Sequence, residues 1–111
     1  MIATSLPVSL AYNGKTQEMH PSKLALSHVV FQLSEDQLQE IRETNGMAVG
    51  LNVAITFHYK EKTFKIAQRK LSAVLSSIVR RSTNSFDAKF TFTKLTSEQR
   101  IYTKTLLRRL V

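Results

Sequence analysis

The chain has 111 residues, no cysteine and 42% hydrophobic residues. That is enough for one core, and it excludes wholesale disorder, a disulfide framework and a cysteine-based zinc site. Charge is divided unevenly: residues 1–59 carry three basic against five acidic side chains, a net of −2, and residues 60–111 carry thirteen against three, a net of +10. The second half therefore attracts anions at long range. No apolar run reaches the length of a membrane span, and Met1 to Leu10 holds no Lys or Arg for a signal peptide. The chain is accordingly read as a single cytoplasmic domain over residues 1–111.

Leu6 to Tyr12 alternates weakly and predicts a first strand. Asn13-Gly14 is a hairpin signal, because a type I′ turn needs positive φ at both central residues, so Lys15 to Met19 should return as the second strand. Pro21 cannot donate to a ladder and marks a strand end or bulge. Leu24 to Leu33 then reads as one strand. Ser34-Glu35-Asp36-Gln37 is a capping box that opens a short helix, with Leu38 and Ile41 on one face and Gly46 as its stop. Leu51, Val53, Ile55, Phe57 and Tyr59 alternate with polar or small residues, giving a strand with one buried face.

Glu61-Lys62 reads as a turn. Thr63 to Arg81 reads as a long extended stretch bent near Arg69-Lys70. Ser82 to Ser85 is a loop, and Phe86, Ala88, Phe90 and Phe92 alternate along a last strand. Thr96-Ser97-Glu98-Gln99 is a second capping box. Tyr102, Leu106 and Leu110 follow it at helical spacing, with Arg100, Lys104 and Arg108 on other faces. The expected fold is β-rich, all-β or α+β: a six-stranded antiparallel barrel with a short internal helix and a C-terminal helix across one mouth.

Catalytic signals are absent: no cysteine nucleophile, no G-x-S-x-G and no phosphate-cradling glycine loop. His20, His28 and His58 are too scattered to form a ligand run, so no metal is expected. Phe57, Phe64, Phe86, Phe90 and Phe92 alternate with polar residues and read as core, not as a base-stacking surface. Arg80-Arg81 is the candidate anion site. Adjacent strand residues face opposite sides, so only one of the two can meet a given ligand unless the chain bulges there. The competing reading is a pair of solvated strand-end charges. Arg108-Arg109, with Arg100 and Lys104, gives the last helix a basic flank, which is either a docking surface or ordinary complementation of the helix dipole.

The order of elements resembles a PilZ domain. The resemblance rests on Leu6-Pro7-Val8-Ser9-Leu10, on Gly50-Leu51-Asn52-Val53-Ala54-Ile55-Thr56-Phe57, and above all on Phe90-Thr91-Phe92-Thr93-Lys94-Leu95-Thr96-Ser97-Glu98-Gln99-Arg100. The family's ligand is cyclic di-GMP, gripped by Arg-x-x-x-Arg before the first strand and by Asp/Asn-x-Ser-x-x-Gly on the facing strands. No Arg occurs in residues 1–6. The second motif is closest to His20-Pro21-Ser22-Lys23-Leu24-Ala25, where only Ser22 matches, His20 takes the acid or amide position and Ala25 that of Gly.

The resemblance thus implies a degenerate member. It would be a signalling adaptor in cyclic di-GMP-linked regulation of motility, pili or adhesion, binding a protein partner and binding the dinucleotide weakly or not at all. Ser22, His20, Arg80 and Arg81 are its candidate ligand contacts, no cofactor is required, and the molecule is expected as a monomer or homodimer. The alternative is a basic β-barrel that binds nucleic acid through its +10 half.

Overall fold

The computed structural model describes residues 7–12, 14–46, 49–58 and 70–110. In chain order these form β1 (Val8–Tyr12), β2 (Lys15–Met19), β3 (Pro21–Leu24), β4 (His28–Leu33), α1 (Glu35–Asn45), β5 (Asn52–Phe57), β6 (Lys70–Ser82), β7 (Ser85–Phe92) and α2 (Ser97–Leu110). The expected turn at Glu61-Lys62, the bend at Arg69, and Tyr59 and Phe64 lie outside the described residues.

Two expectations are corrected. The described residues hold seven strands, where six were expected for the chain, and they form one open antiparallel sheet in the order β2-β1-β5-β6-β7-β4-β3, not a closed barrel. The extra strand arises because Leu24 to Leu33 is not one strand. It is a hairpin turning at Leu26-Ser27, with Leu24 opposite Val29 and the Ala25 amide donating to the His28 carbonyl at 2.9 Å. The turn contains no Gly, Pro or Asn, and Ser27 alone is a weak local signal for it.

The two edge strands, β2 and β3, are separated in the chain by His20 alone. Consecutive Cα atoms are about 3.8 Å apart, so the two edges must approach each other at that corner. The sheet is therefore curled, although no ladder joins its edges. Pro21, which has no amide proton to donate, begins the edge strand β3, and the β3–β4 register slips between Pro21 and Lys23.

Elsewhere local chemistry decides the elements as expected. Tyr12 pairs with Lys15 across a two-residue connection in which Gly14 has φ of +77°. Ser34 Oγ accepts from the Gln37 amide while Gln37 Oε1 accepts from the Ser34 amide, and α1 ends on Gly46 at φ +81°. Thr96 and Gln99 make the same reciprocal pair at the start of α2.

The core fills the inner side of the curled sheet. Val53, Ile55 and Phe57 of β5 meet Leu71, Ala73 and Leu75 of β6 and Ala88, Phe90 and Phe92 of β7, all buried. Phe31 packs edge-on against Phe90 at 5.6 Å and Phe57 against Phe92 at 6.4 Å, a geometry that adds to plain area burial. Leu38 and Ile41 bring α1 to this core, and Tyr102 and Leu106 bring α2.

Polar ties fix the helices on the sheet. The Glu35 amide donates to Asn84 Oδ1 in the β6–β7 turn, Lys15 pairs with Glu40 at 3.1 Å, and Gln99 Nε2 donates to the Lys70 carbonyl.

Candidate functional site

The site begins with an irregularity in β6. Up to Leu75 the strand alternates simply, with Leu75 opposite Phe90, but the next partner of Lys89 is Ser77, so Ser76 is an extra residue in the ladder. Its hydroxyl is absorbed locally, donating to the Lys89 carbonyl at 3.0 Å and sharing a bond with the Thr91 hydroxyl at 2.8 Å. Beyond the bulge the parity is inverted. Ile78 now packs against the core, while Ser77, Val79 and Arg81 stand on the outer face.

This inversion, with a second register shift that leaves Arg81 as an extra residue between Arg80 and Ser82, separates the two candidate arginines. Arg80 lies over the Phe86 ring, 5.5 Å from its centroid, and donates to the carbonyls of Ser82 and Thr83, so it fastens the β6–β7 turn. Arg81 lies on the outer face, where its Nε donates to Asp87 Oδ2 at 2.5 Å. The other Asp87 oxygen is buried, with no hydrogen-bond partner among the described residues.

Around that pair the register gathers residues that sequence reasoning had not grouped. Lys23 of β3 lies opposite Val30 of β4, Val30 opposite Lys89 of β7, and Lys89 opposite Ser77 of β6. With His28, Arg81 and Asp87 these line an outer groove of about 200 Å³. Lys23, Arg81 and Lys89 outnumber its one carboxylate, so the groove favours an anion. The His28 ring meets the Ser27 hydroxyl at 2.9 Å, and burial, helped by the Lys89 ammonium, holds its pKa below the ordinary 6.5. A ligand phosphate would reverse the second influence. The signal that could have exposed the groove is strand register, which a single sequence does not carry.

A second concavity of about 430 Å³ lies between α2, the end of β7 and the β3–β4 turn. Its lining includes Lys94, a non-glycine residue at φ +49°; holding an ordinary side chain there costs on the order of 1 kcal/mol.

No family model matches the chain, and no curated protein sequence matches it. Solved structures do. The PilZ domain of YcgR from Escherichia coli, solved with c-di-GMP, superposes with a TM-score of 0.66 at 12% identity, over 95% of this chain and 81% of that one. The fold is PilZ-like. MotI/DgrA, an inhibitor of motility from Bacillus subtilis, gives 0.65 at 11% identity over 98% of this chain. PlzA of Borreliella burgdorferi in complex with c-di-GMP gives 0.58 at 13% over 96%. The chain spans only 47% and 45% of the length of those two proteins.

Within this PilZ-like fold, His20 is the exposed joint between β2 and β3. Ser22 sits half-buried on β3, and its hydroxyl donates to the Val30 carbonyl at 3.1 Å. Lys23, next to Ser22, lines the outer groove with Arg81, whereas Arg80 is held at the β6–β7 turn. His58, hydrogen-bonded to Ser9 at 2.6 Å, follows β5, so the three histidines belong to separate elements. Among the described residues no three His, Asp or Glu side chains gather as metal ligands, and no helix is long and apolar enough to cross a membrane.

Proposed function

We propose that this domain is an atypical PilZ-like adaptor in cyclic di-GMP-linked regulation, acting by binding a protein partner and not by catalysis, with cyclic di-GMP held weakly or not at all. The observation that carries this reading is a PilZ-like fold over nearly the whole chain combined with a poor ligand motif. His20 and Ala25 stand where the motif has its acid or amide and its glycine, and the Ser22 hydroxyl is committed to Val30. Arg81 and Lys23 leave some capacity for an anion, but Arg81 is partnered by Asp87, and a phosphate would have to compete with that carboxylate.

Nucleic-acid binding has less support. Non-specific single-strand binders stack bases on accessible aromatic rings. Every Phe and Tyr among the described residues is buried or half-buried.

Calorimetric titration with cyclic di-GMP, followed by amide shifts, tests the reading. The expected result is no saturable heat at about 10–100 µM ligand, a range in which binding would still be worth about 5–7 kcal/mol. Saturation at low micromolar concentration, with shifts centred on His20, Ser22 and Arg81, would replace the proposal with an ordinary dinucleotide receptor.

A further inference from the structure

We propose that the concavity between α2 and the β3–β4 turn is the docking site for an acidic amphipathic peptide segment of the protein partner. The inference rests on the adaptor reading and gives it a surface, distinct from the outer groove of Lys23, Arg81 and Lys89. Buried Phe92 and half-buried Leu95 give it an apolar floor, Leu26 an exposed apolar edge, and exposed Lys94, Arg100 and Lys104 a basic rim. Among the described residues, none that lines it is acidic. After Glu98, the charged residues in the α2 sequence are Arg100, Lys104, Arg108 and Arg109, all basic.

Two large apolar side chains are left to water in this part of the molecule. Leu26, in the lining, is 54% exposed, and Ile101, which follows Arg100 on α2, is 63% exposed. The volume of about 430 Å³ falls within the range of ordinary ligand sites, about 300–1,000 Å³.

The chemistry selects the occupant. A nucleic-acid strand needs an accessible ring for its bases, and Phe92 is only 9% exposed with its ring packed on Phe57. A purely hydrophobic partner would leave three cations facing its surface without counter-charge, which association would penalise. An apolar anchor flanked by carboxylates satisfies floor and rim together. Lys94 contributes to the rim from its left-handed backbone position, and it also borders the neighbouring groove over Asn52 and Ser72. That groove gives an extended segment a path out of the concavity.

The test uses amide-shift mapping on the whole chain with a short fluorescent peptide in which Leu and Phe alternate with Glu, and a twin in which Gln replaces Glu. Shifts should centre on Leu26, Ser27, Lys94 and Lys104, and the Gln twin should not bind. Arg100→Glu and Lys104→Glu should each weaken binding about three- to tenfold, and Leu26→Ser should weaken it while leaving the rest of the amide spectrum in place. Equal binding of the two peptides would overturn the proposal. So would concentration-dependent shifts at the same amides without peptide, which would assign the site to a second copy. Peptide shifts confined to His28, Lys89 and Arg81 would overturn this site and leave the adaptor reading standing. Tight cyclic di-GMP binding with no peptide shift anywhere would overturn both.

Discussion

The two halves of β6 share one strand and one neighbour, β7, yet they do different work. From Lys70 to Leu75 the alternation is regular, and Leu71, Ala73 and Leu75 are buried. From Ser77 to Arg80 the parity is inverted, so that Ile78 packs against the core, Val79 is 49% exposed, and the arginines serve the surface. The β6–β7 ladder is interrupted twice, at Ser76 and at Arg81, and the first interruption separates a half that builds the fold from a half that presents charge. The outer groove depends on the second half, because Arg81, and not Arg80, lines it with Lys23 and Lys89.

The contrast can be broken most directly by truncation on each side of the bulge. Leu75→Ala should cost about 2–5 kcal/mol in denaturant unfolding, since the side chain is wholly buried. Val79→Ala should stay within about 0.5 kcal/mol. Comparable losses at the two positions would mean that the outer half is as much core as the inner one.

A smaller effect separates the arginines. Arg81→Ala leaves the mostly buried Asp87 carboxylate without its donor and should cost about 1–2 kcal/mol. Arg80→Ala removes an exposed ring contact and two carbonyl bonds at the turn, and should cost about 0.5–1 kcal/mol. Amide shifts in Arg81→Ala should spread to Lys89 and Lys23, while those in Arg80→Ala should remain within residues 82–86. The reverse pattern would mean that the parity is misassigned.

The smallest effect concerns pH. The folded-state pKa of His28 is depressed below 6.5, so between that lower value and 6.5 the unfolded chain binds more protons than the native one. Stability from this group is present above 6.5 and is lost as pH falls through the folded value. His28→Gln should flatten that part of the stability curve, measured as Tm at stepped pH. An unchanged slope would show that the groove exerts no electrostatic pressure on the ring.

Much of the fold was legible in the sequence because it is written locally. Two capping boxes place the helix starts at Ser34 and Thr96, and Gly14 and Gly46 mark a turn and a stop. The period-two pattern of Val53, Ile55 and Phe57, and of Ala88, Phe90 and Phe92, identifies strands with one buried face. What chain neighbours do not encode was decided by the tertiary structure. Leu26-Ser27 turns without Gly, Pro or Asn, the sheet stays open between β2 and β3, and the irregularities at Ser76 and Arg81 put Arg81 on the outer face. Lys23 and Lys89 meet across Val30 only once β3, β4 and β7 are in register. Capping and alternation act over a few residues and survive in any one sequence, whereas register is settled by the joint packing of distant strands around a shared core.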